Sequence, residues 1–280
     1  MLDRYRCYEL AVTNAAMLAR FCEAAHGGRA GTLREDFSGT GALARAWLGL
    51  GPRHRAAAVD LDPRVLARAR REAAGLGRPL AARLTTILRD ACEVRERADI
   101  IAATNFPLGY FRTRDALLAY LKNARACLRP RGVLVADMYG GPSAFVAGTT
   151  RVRVRVPGGG WFWYLWEQVR GDPLTREVEN AIHFKVPRRL AGRAGGKPPA
   201  RSERSIVASM RSMRNAFRYR WRLWSIAELV GAMREAGFRE VEVHDRLGGA
   251  IDSTGRLHLD PLGPGDEPDP DWVVYFVARR

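Results

Sequence analysis

Two glycines and one carboxylate give this chain its clearest chemical signal. The run from Leu33 to Gly41 ends in a tight turn that contains Gly39, and Asp60 follows nineteen residues after Gly41. Glycine lets the backbone approach a ligand where any Cβ atom would collide. An acid at the end of the next strand is placed to accept hydrogen bonds from both hydroxyls of a ribose. This spacing predicts a pocket for an adenosine-containing cofactor.

The form of the glycine turn limits the class of cofactor. A dinucleotide fingerprint would have its first glycine where this chain has Phe37, and no third glycine follows to approach a pyrophosphate. The sequence also lacks the glycine-rich loop with a lysine that binds triphosphates. The turn therefore favours a cofactor without phosphate, held through its ribose and its amino-acid part.

Strand-like and helix-like segments alternate through the first half of the chain. Short apolar runs predict five strands, and the segments between them have helical spacing. The predicted strands are 32–37, 56–60, 85–88, 99–103 and 133–137, and the predicted helices are 9–25, 42–50, 63–74 and 115–128. This alternation predicts a parallel sheet with right-handed crossovers.

The second half of the chain has the pattern of antiparallel strands. Residues 151–156 alternate strictly between Arg and Val, as a strand with one solvated face would. Further strands are predicted at 161–169, 178–186 and 216–224, with a hairpin tip rich in Arg, Gly and Pro at 187–204. A helix at 225–236 with a Ser225–Glu228 capping box, and strands at 241–243 and 272–277, complete the pattern.

These motifs in this order resemble the class I S-adenosylmethionine-dependent methyltransferases. The matching stretches are Leu33–Gly41, Ala58–Pro63, Leu88–Ala91, Thr104–Phe111, Asp115–Asp137 and Trp224–Phe238. Within that superfamily the chain is most similar to small-molecule N-methyltransferases of the glycine and deoxysugar type. The resemblance implies an α/β fold with a Rossmann-like, doubly wound, seven-stranded and mostly parallel sheet. It also implies an antiparallel β insertion between strand five and the last helix.

The resemblance further implies a division of the chain into three parts. Residues 1–30 would form an N-terminal helical lid, residues 31–145 and 224–280 the cofactor-binding domain, and residues 146–223 an insertion that covers the acceptor site. The implied cofactor is S-adenosyl-L-methionine, and the implied product is S-adenosyl-L-homocysteine.

Residues at the ends of the predicted strands take their roles from the same resemblance. Glu35 would lie near the methionine amino group, Asp60 would bind the ribose hydroxyls, and Asp90 would accept from the adenine amino group. Leu61 would pack on the adenine ring. The full set of expected cofactor-binding residues is Glu35, Ser38, Gly39, Thr40, Gly41, Asp60, Leu61, Asp90, Ala91, Thr104, Asn105 and Tyr8.

The candidate acceptor side lies in an aromatic strand of the insertion. In an extended chain Trp163 and Glu167 share one face, and Tyr164 and Trp166 share the other. A carboxylate beside aromatic surface could hold an amine substrate. The alternative interpretation is that these aromatic residues form the core of the insertion itself.

An amine acceptor must lose a proton before it can attack, so a nearby acid or histidine would help. Glu167 and His183 in the insertion, together with Tyr110 after the fourth strand, are the expected catalytic residues. Residues 219–222 would line the same pocket as Glu167 and His183 if their strands pair. N-methylation is favoured over O-methylation.

Two other functions stay open. Asn105–Leu108 resembles the N-P-P-[YF] loop of nucleic-acid amino methylases at two of four positions, and arginines within 188–204 could bind phosphates. A nucleic-acid methyltransferase is therefore the first alternative, and a protein that binds the cofactor without methylating is the second. The net charge of +16 does not decide between them, because arginine supplies nearly all of it, as biased codon use would produce.

Composition sets the remaining limits. A chain of 280 residues with 47% hydrophobic residues is long enough for one large α/β domain with an insertion. It has no apolar stretch long enough to cross a bilayer and no secretory signal pattern, so no membrane partner is expected. Four dispersed cysteines and five isolated histidines predict no metal site and a cytoplasmic location. The oligomeric state is left open.

Overall fold

The computed structural model describes residues 2–27, 30–187, 210–245, 257, 259–263, 265–266 and 268–280. The helices are α1 Arg4–Ala11, α2 Ala15–His26, α3 Ala42–Gly49, α4 Pro63–Gly75, α5 Arg78–Ala81, α6 Arg114–Cys127 and α7 Ile226–Glu235. The strands are β1 Thr32–Glu35, β2 Arg55–Asp60, β3 Leu84–Leu88, β4 Ala98–Ala103, β5 Leu128–Gly140, β6 Gly148–Arg155, β7 Trp161–Asp172, β8 Glu177–Pro187, β9 Met210–Arg222, β10 Glu240–Asp245 and β11 Trp272–Arg279.

The chain folds into two compact units. The first, here called the β unit, comprises Met1–Asn14 and Ala144–Trp221, and the second, here called the sheet unit, comprises Ala15–Ser143 and Arg222–Arg280. The residues predicted as one N-terminal lid are thus divided, since α1 belongs to the β unit and α2 to the sheet unit. The predicted hairpin tip lies outside the described residues from position 188 to its end.

The sheet unit has the predicted doubly wound topology. Its described residues form a seven-stranded sheet in the order β10-β11-β5-β4-β1-β2-β3. β11 pairs antiparallel with both of its neighbours, whereas β5, β4, β1, β2 and β3 pair in parallel. The predicted fold class is confirmed. The strand order reverses between β4 and β1, and in such sheets ligands bind outside the carboxyl ends of the strands at that point.

Burial on both faces explains why these strands are apolar along their length. Leu33 and Ile100 pack into a core with α2 and α3, and the alternate residues Ile101 and Leu134 are also fully buried. A parallel sheet covered by helices on both faces needs such continuous apolar runs. No helix among the described residues is long and apolar enough to cross a membrane.

The β unit is built on a four-stranded antiparallel sheet in the order β6-β7-β8-β9. One face packs against α1 and forms a core that includes Phe162, Ile182 and Phe184. Register places Arg151 opposite Leu165 and Arg153 opposite Trp163, on the face away from that core. The alternation predicted for β7 is therefore confirmed.

Several predicted boundaries were wrong, and two of them have a local cause. The single N-terminal helix at 9–25 is interrupted at Val12–Asn14, where two β-branched residues and an asparagine have low helix propensity. The fifth strand runs on from the predicted Asp137 to Gly140, because β11 pairs with it as far as that residue.

Candidate cofactor site

The turn after β1 is left-handed at two glycines that differ in their surroundings. Gly39 has φ +52 and Gly41 has φ +66, a region that favours glycine. A Cβ atom on Gly41 would lie 3.2 Å from the Cβ of Ala69, so packing against α4 requires glycine there. A Cβ atom on Gly39 would meet nothing within 4 Å. The open space lies therefore at Gly39, beside the predicted ribose acid.

Asp60 ties this turn to the end of β2. One carboxylate oxygen accepts the Gly39 N–H at 2.7 Å, and the other accepts the Asp62 N–H at 2.9 Å. Asp62 itself caps α4 by accepting the N–H of Arg64. The sequence-predicted glycines and acid are thus brought together by main-chain hydrogen bonds.

Glu35 lies behind the turn, at the start of α3. It is buried, and its carboxylate accepts the Ala44 N–H at 2.8 Å. Burial raises the pKa of Glu35 to about 7, although the α3 amides and Arg45 act in the opposite direction. The structure therefore shows Glu35 as a helix-capping group within the wall of the site.

Phe37 stands where the turn takes a third left-handed conformation, with φ +56. A non-glycine residue in this region carries backbone strain and commonly marks a functional turn. Its ring contacts the rings of Tyr110, Phe111 and Tyr120, with centroids 5.6 to 6.5 Å apart. These aromatic contacts offset the strain at the position where a dinucleotide fingerprint would have its first glycine.

Asp36 is a buried partner in an ion pair. Its carboxylate lies 2.9 Å from Nε of Arg34 and accepts the Tyr120 hydroxyl at 3.0 Å. All three side chains are fully buried. This network connects β1 to α6 beneath the turn.

A second strained segment follows β4. Asn105 and Phe106 are both left-handed, with φ +69 and φ +67. The Asp137 carboxylate on β5 accepts both of their N–H groups, at 2.9 Å and 2.7 Å. Burial raises the pKa of Asp137 to about 7, and the two main-chain donors act in the opposite direction. Sequence reasoning placed Asp137 at the carboxyl edge without predicting this contact.

The remaining predicted cofactor residues have varied surroundings. Leu61 is 67% exposed, Ala91 and Thr104 are buried, and Asp90 accepts the Cys92 N–H at 2.9 Å. These residues belong to the sheet unit, as does the half-exposed Tyr110. Tyr8 belongs to the β unit, where its ring packs 5.0 Å from that of Phe217, and its role in cofactor binding stays a prediction.

One buried polar atom in the turn has no protein partner. Ser38 is 7% exposed, and among the described residues nothing makes a hydrogen bond with its Oγ. A buried hydroxyl without a partner is costly unless a ligand or water satisfies it. Together with the open space at Gly39, this atom fits the prediction of a cofactor held across the turn.

The predicted catalytic pair lies in the β unit. Nδ1 of His183 accepts the main-chain N–H of Asn215 at 2.9 Å, so the ring proton is on Nε2, which donates to Glu167 at 2.7 Å. Asn215 is left-handed, with φ +48. Its N–H is the one that Nδ1 of His183 accepts.

The prediction that residues 219–222 line the same pocket was wrong. Tyr219 and Trp221 stack with Trp166 at centroid distances of 6.5 Å and 6.2 Å, and Trp166 lies on the opposite face of β7 from Glu167. Arg222 lies in the sheet unit, where it donates to the carbonyl of Arg112. Which face a strand presents depends on its register with its neighbour, and the residue pattern of β9 alone did not reveal it.

Comparison with known families and structures identifies the domain. Residues 38–134 match the family model described as a methyltransferase domain. The chain contains a methyltransferase domain. The class I S-adenosylmethionine-dependent methyltransferase recognised from the sequence is thereby confirmed, as is its assignment as an enzyme. The match covers the glycine turn, Asp60 and the loop after β4.

Solved structures of methyltransferases share the fold along nearly the whole chain. An S-adenosylmethionine-dependent methyltransferase from Clostridium acetobutylicum has 14% identity and a TM-score of 0.65, covering 98% of this chain and 96% of its own. An amino pentose methyltransferase from Micromonospora echinaspora, solved with S-adenosylmethionine bound, has 19% identity and a TM-score of 0.63, covering 100% and 98%. A sugar N-methyltransferase from Streptoalloteichus has 18% identity and a TM-score of 0.62, covering 99% and 90%. No curated protein sequence matches the chain.

Proposed function

We propose that this methyltransferase moves a methyl group from S-adenosyl-L-methionine to a small-molecule acceptor, with an amine nitrogen favoured over a hydroxyl oxygen. The observation that carries the cofactor assignment is the Ser38–Gly41 turn, tied by its Gly39 N–H to Asp60 at 2.7 Å. The acceptor class is supported by the shared fold of the amino pentose and sugar N-methyltransferases.

Residues around the turn have separate tasks in this proposal. Asp60 accepts from the ribose hydroxyls, the exposed Leu61 covers one face of the adenine, and Asp90 accepts from its amino group. Ser38 supplies the hydroxyl that has no partner within the described residues. When bound, the cofactor would supply the electrophilic methyl group that the acceptor's lone pair attacks. The protein contributes mainly alignment and exclusion of water.

Proton removal from an amine acceptor is assigned to Glu167, with His183 as its positioning residue and Tyr110 as a group that orients the acceptor. Both ring nitrogens of His183 are already hydrogen-bonded, to Asn215 and to Glu167. His183 therefore holds Glu167 in place and cannot take a proton on Nδ1 without losing a main-chain donor. The second carboxylate oxygen of Glu167 is left to meet a ligand.

Calorimetry with S-adenosylhomocysteine tests the cofactor site. The wild-type protein should bind, and Asp60→Asn should weaken binding by about tenfold or more, because one acceptor for the ribose is lost. Asp62→Asn is the matched control, since asparagine still caps α4 and affinity should stay within about twofold. Absence of binding to the wild type would remove the basis of the proposal.

Mass spectrometry of incubations with amines and with hydroxyl compounds tests the acceptor class. Methylated amines should form, and Glu167→Gln should lower kcat while leaving S-adenosylhomocysteine affinity unchanged. Methylation of hydroxyl compounds alone would contradict the amine preference, and no methylated product from metabolite extracts would favour a binding protein that does not methylate. The nucleic-acid alternative depends on arginines at 188–204, outside the described residues, and stays a prediction of the sequence.

A further inference from the structure

The β unit contains a cavity whose wall includes Glu167 and His183 and also cations to which the proposed methyl transfer assigns no role. Its volume is about 320 Å³, within the range of small-molecule sites, and it lies on the face of the sheet away from α1. Four strands contribute to it, so the antiparallel pairing itself builds the walls. Residues that line it include Glu167, His183, Lys185 and Arg214.

The charges in this cavity are unbalanced. Lys185 and Arg214 have no acidic partner among the described residues, and Glu167 is the one acidic group in the cavity wall. The Glu167 charge is partly satisfied by the Nε2–H of His183 at 2.7 Å. The imidazole adds no charge, because Nδ1 accepts a main-chain N–H. Two cations face one hydrogen-bonded carboxylate, so the cavity is positive.

The rest of this face increases the positive potential. Arg151 and Arg153 stand on the same side of the sheet as Glu167, with their guanidinium groups 4.3 Å and 4.2 Å from the ring centres of Trp163 and Trp161. Cation–π contact holds the Arg151 guanidinium in place and does not by itself neutralise its charge. A fixed cluster of cations around a concave pocket raises the local concentration of anions.

We propose that this cavity binds a small anionic ligand through a carboxylate or phosphate group held between Lys185 and Arg214. The hydroxyls of Thr149 and Ser212 in the cavity wall supply further donors for the same group. The concave shape and limited volume favour a small molecule over a polymer, which would need an extended groove. The inference goes beyond methyl transfer and does not depend on it, because Lys185 and Arg214, which would hold the anion, have no part in the proposed reaction.

Calorimetry on the full chain tests the proposal with inorganic phosphate and with malonate, which separate the two anion types. At least one should bind, and Lys185→Gln and Arg214→Gln should each weaken that binding by about tenfold or more. Lys122→Gln is the matched control, because it removes one exposed charge from α6 in the other unit and should have no effect. S-adenosylhomocysteine binding measured on the same variants reports whether they are folded and leaves the two proposals separable.

Three results would overturn the proposal. One is that neither anion binds the folded wild-type protein, and another is that binding is the same in both charge variants as in Lys122→Gln. The third is that a single-stranded oligonucleotide binds through Lys185 and Arg214 while both small anions fail. Glu167→Gln should leave anion binding unchanged or strengthen it, since it removes the one opposing charge.

Discussion

The two units of this protein build their candidate sites in different ways. In the sheet unit, carboxylates hold main-chain N–H groups: Asp60 holds Gly39, Glu35 holds Ala44, and Asp137 holds Asn105. In the β unit, the candidate residues contact each other through their side chains, as Glu167 and His183 do, and a main-chain N–H, that of Asn215, completes the arrangement. A site held by main-chain hydrogen bonds can be predicted from a short motif, whereas a site held by side-chain contacts depends on strand register. The site of the sheet unit should therefore be rigid and predictable from sequence, and that of the β unit should be adaptable.

The largest expected effect is at Asp137. Asp137→Ala leaves the part-buried N–H groups of Asn105 and Phe106 without their carboxylate acceptor, at about 1–3 kcal/mol each. The free energy of unfolding should fall by about 3 kcal/mol, measured by urea titration. A loss below about 1 kcal/mol would show that the left-handed segment does not depend on this carboxylate, and the contrast between the units would weaken.

The raised pKa of Asp137 makes its contribution to the free energy of unfolding depend on pH. Its pKa of about 7 in the folded protein exceeds the usual value near 4, so the folded state holds the proton more tightly. Its contribution to stability is therefore complete below about pH 4, declines as pH rises to about 7, and is flat above. Asp137→Asn should reduce this decline by about 2–4 kcal/mol between pH 4.5 and 8, and an unchanged pH profile would contradict the assignment.

Two substitutions of Phe37 separate the effect of backbone strain on stability from the effect of ring packing. Phe37→Ala should cost about 2 kcal/mol, because the half-buried ring loses its contacts with Tyr110, Phe111 and Tyr120. Phe37→Gly loses the same contacts but relieves the left-handed strain, so it should be about 1 kcal/mol more stable than Phe37→Ala. Equal stability of the two variants in urea unfolding would mean that the strain is negligible.

A substitution of Gly39 tests whether the cofactor occupies the open space in the turn. Gly39→Ala should cost about 1 kcal/mol through its positive φ, and its Cβ enters the empty side of the turn, so S-adenosylhomocysteine affinity should fall by about tenfold. Gly148→Ala in β6 is the control, since its Cβ would also meet nothing within 4 Å. Calorimetry that shows equal affinity in both variants would place the cofactor elsewhere.

The smallest expected effect is on the exposed face of the β unit. A double-mutant cycle with Arg151→Gln and Trp163→Leu should give a coupling free energy of about 0.5 kcal/mol, as expected for an exposed cation–π pair. A coupling above about 2 kcal/mol would show that this surface is as tightly organised as the turn.

The sequence predicted the sheet unit in detail because its signals are local. Apolar runs marked the strands, and Gly39, Gly41 and Asp60 carried the site within one short stretch. Phe37 stands where a dinucleotide fingerprint would have glycine. Its backbone is nevertheless left-handed, because contacts of its ring offset the strain.

The β unit was harder to predict because its chemistry depends on pairing. The alternation within β7 correctly separated Glu167 from Trp166. In β9, however, Asn215 is left-handed, and no residue pattern marked that position. Tyr219 and Trp221 were therefore placed on the wrong side. Lys185 and Arg214 were not predicted as site residues, because only the pairing of the strands places these two separate cations in one cavity.

The length of β5 has a consequence for how the protein opens. Residues 133–136 are bonded to β4 on one side and to β11 on the other, so their amides sit in the middle of a ladder with no free edge. Deuterium should replace protons there last, and only when the whole sheet comes apart. The exchange rate of those four amides would therefore report global unfolding, and faster exchange elsewhere would report local opening.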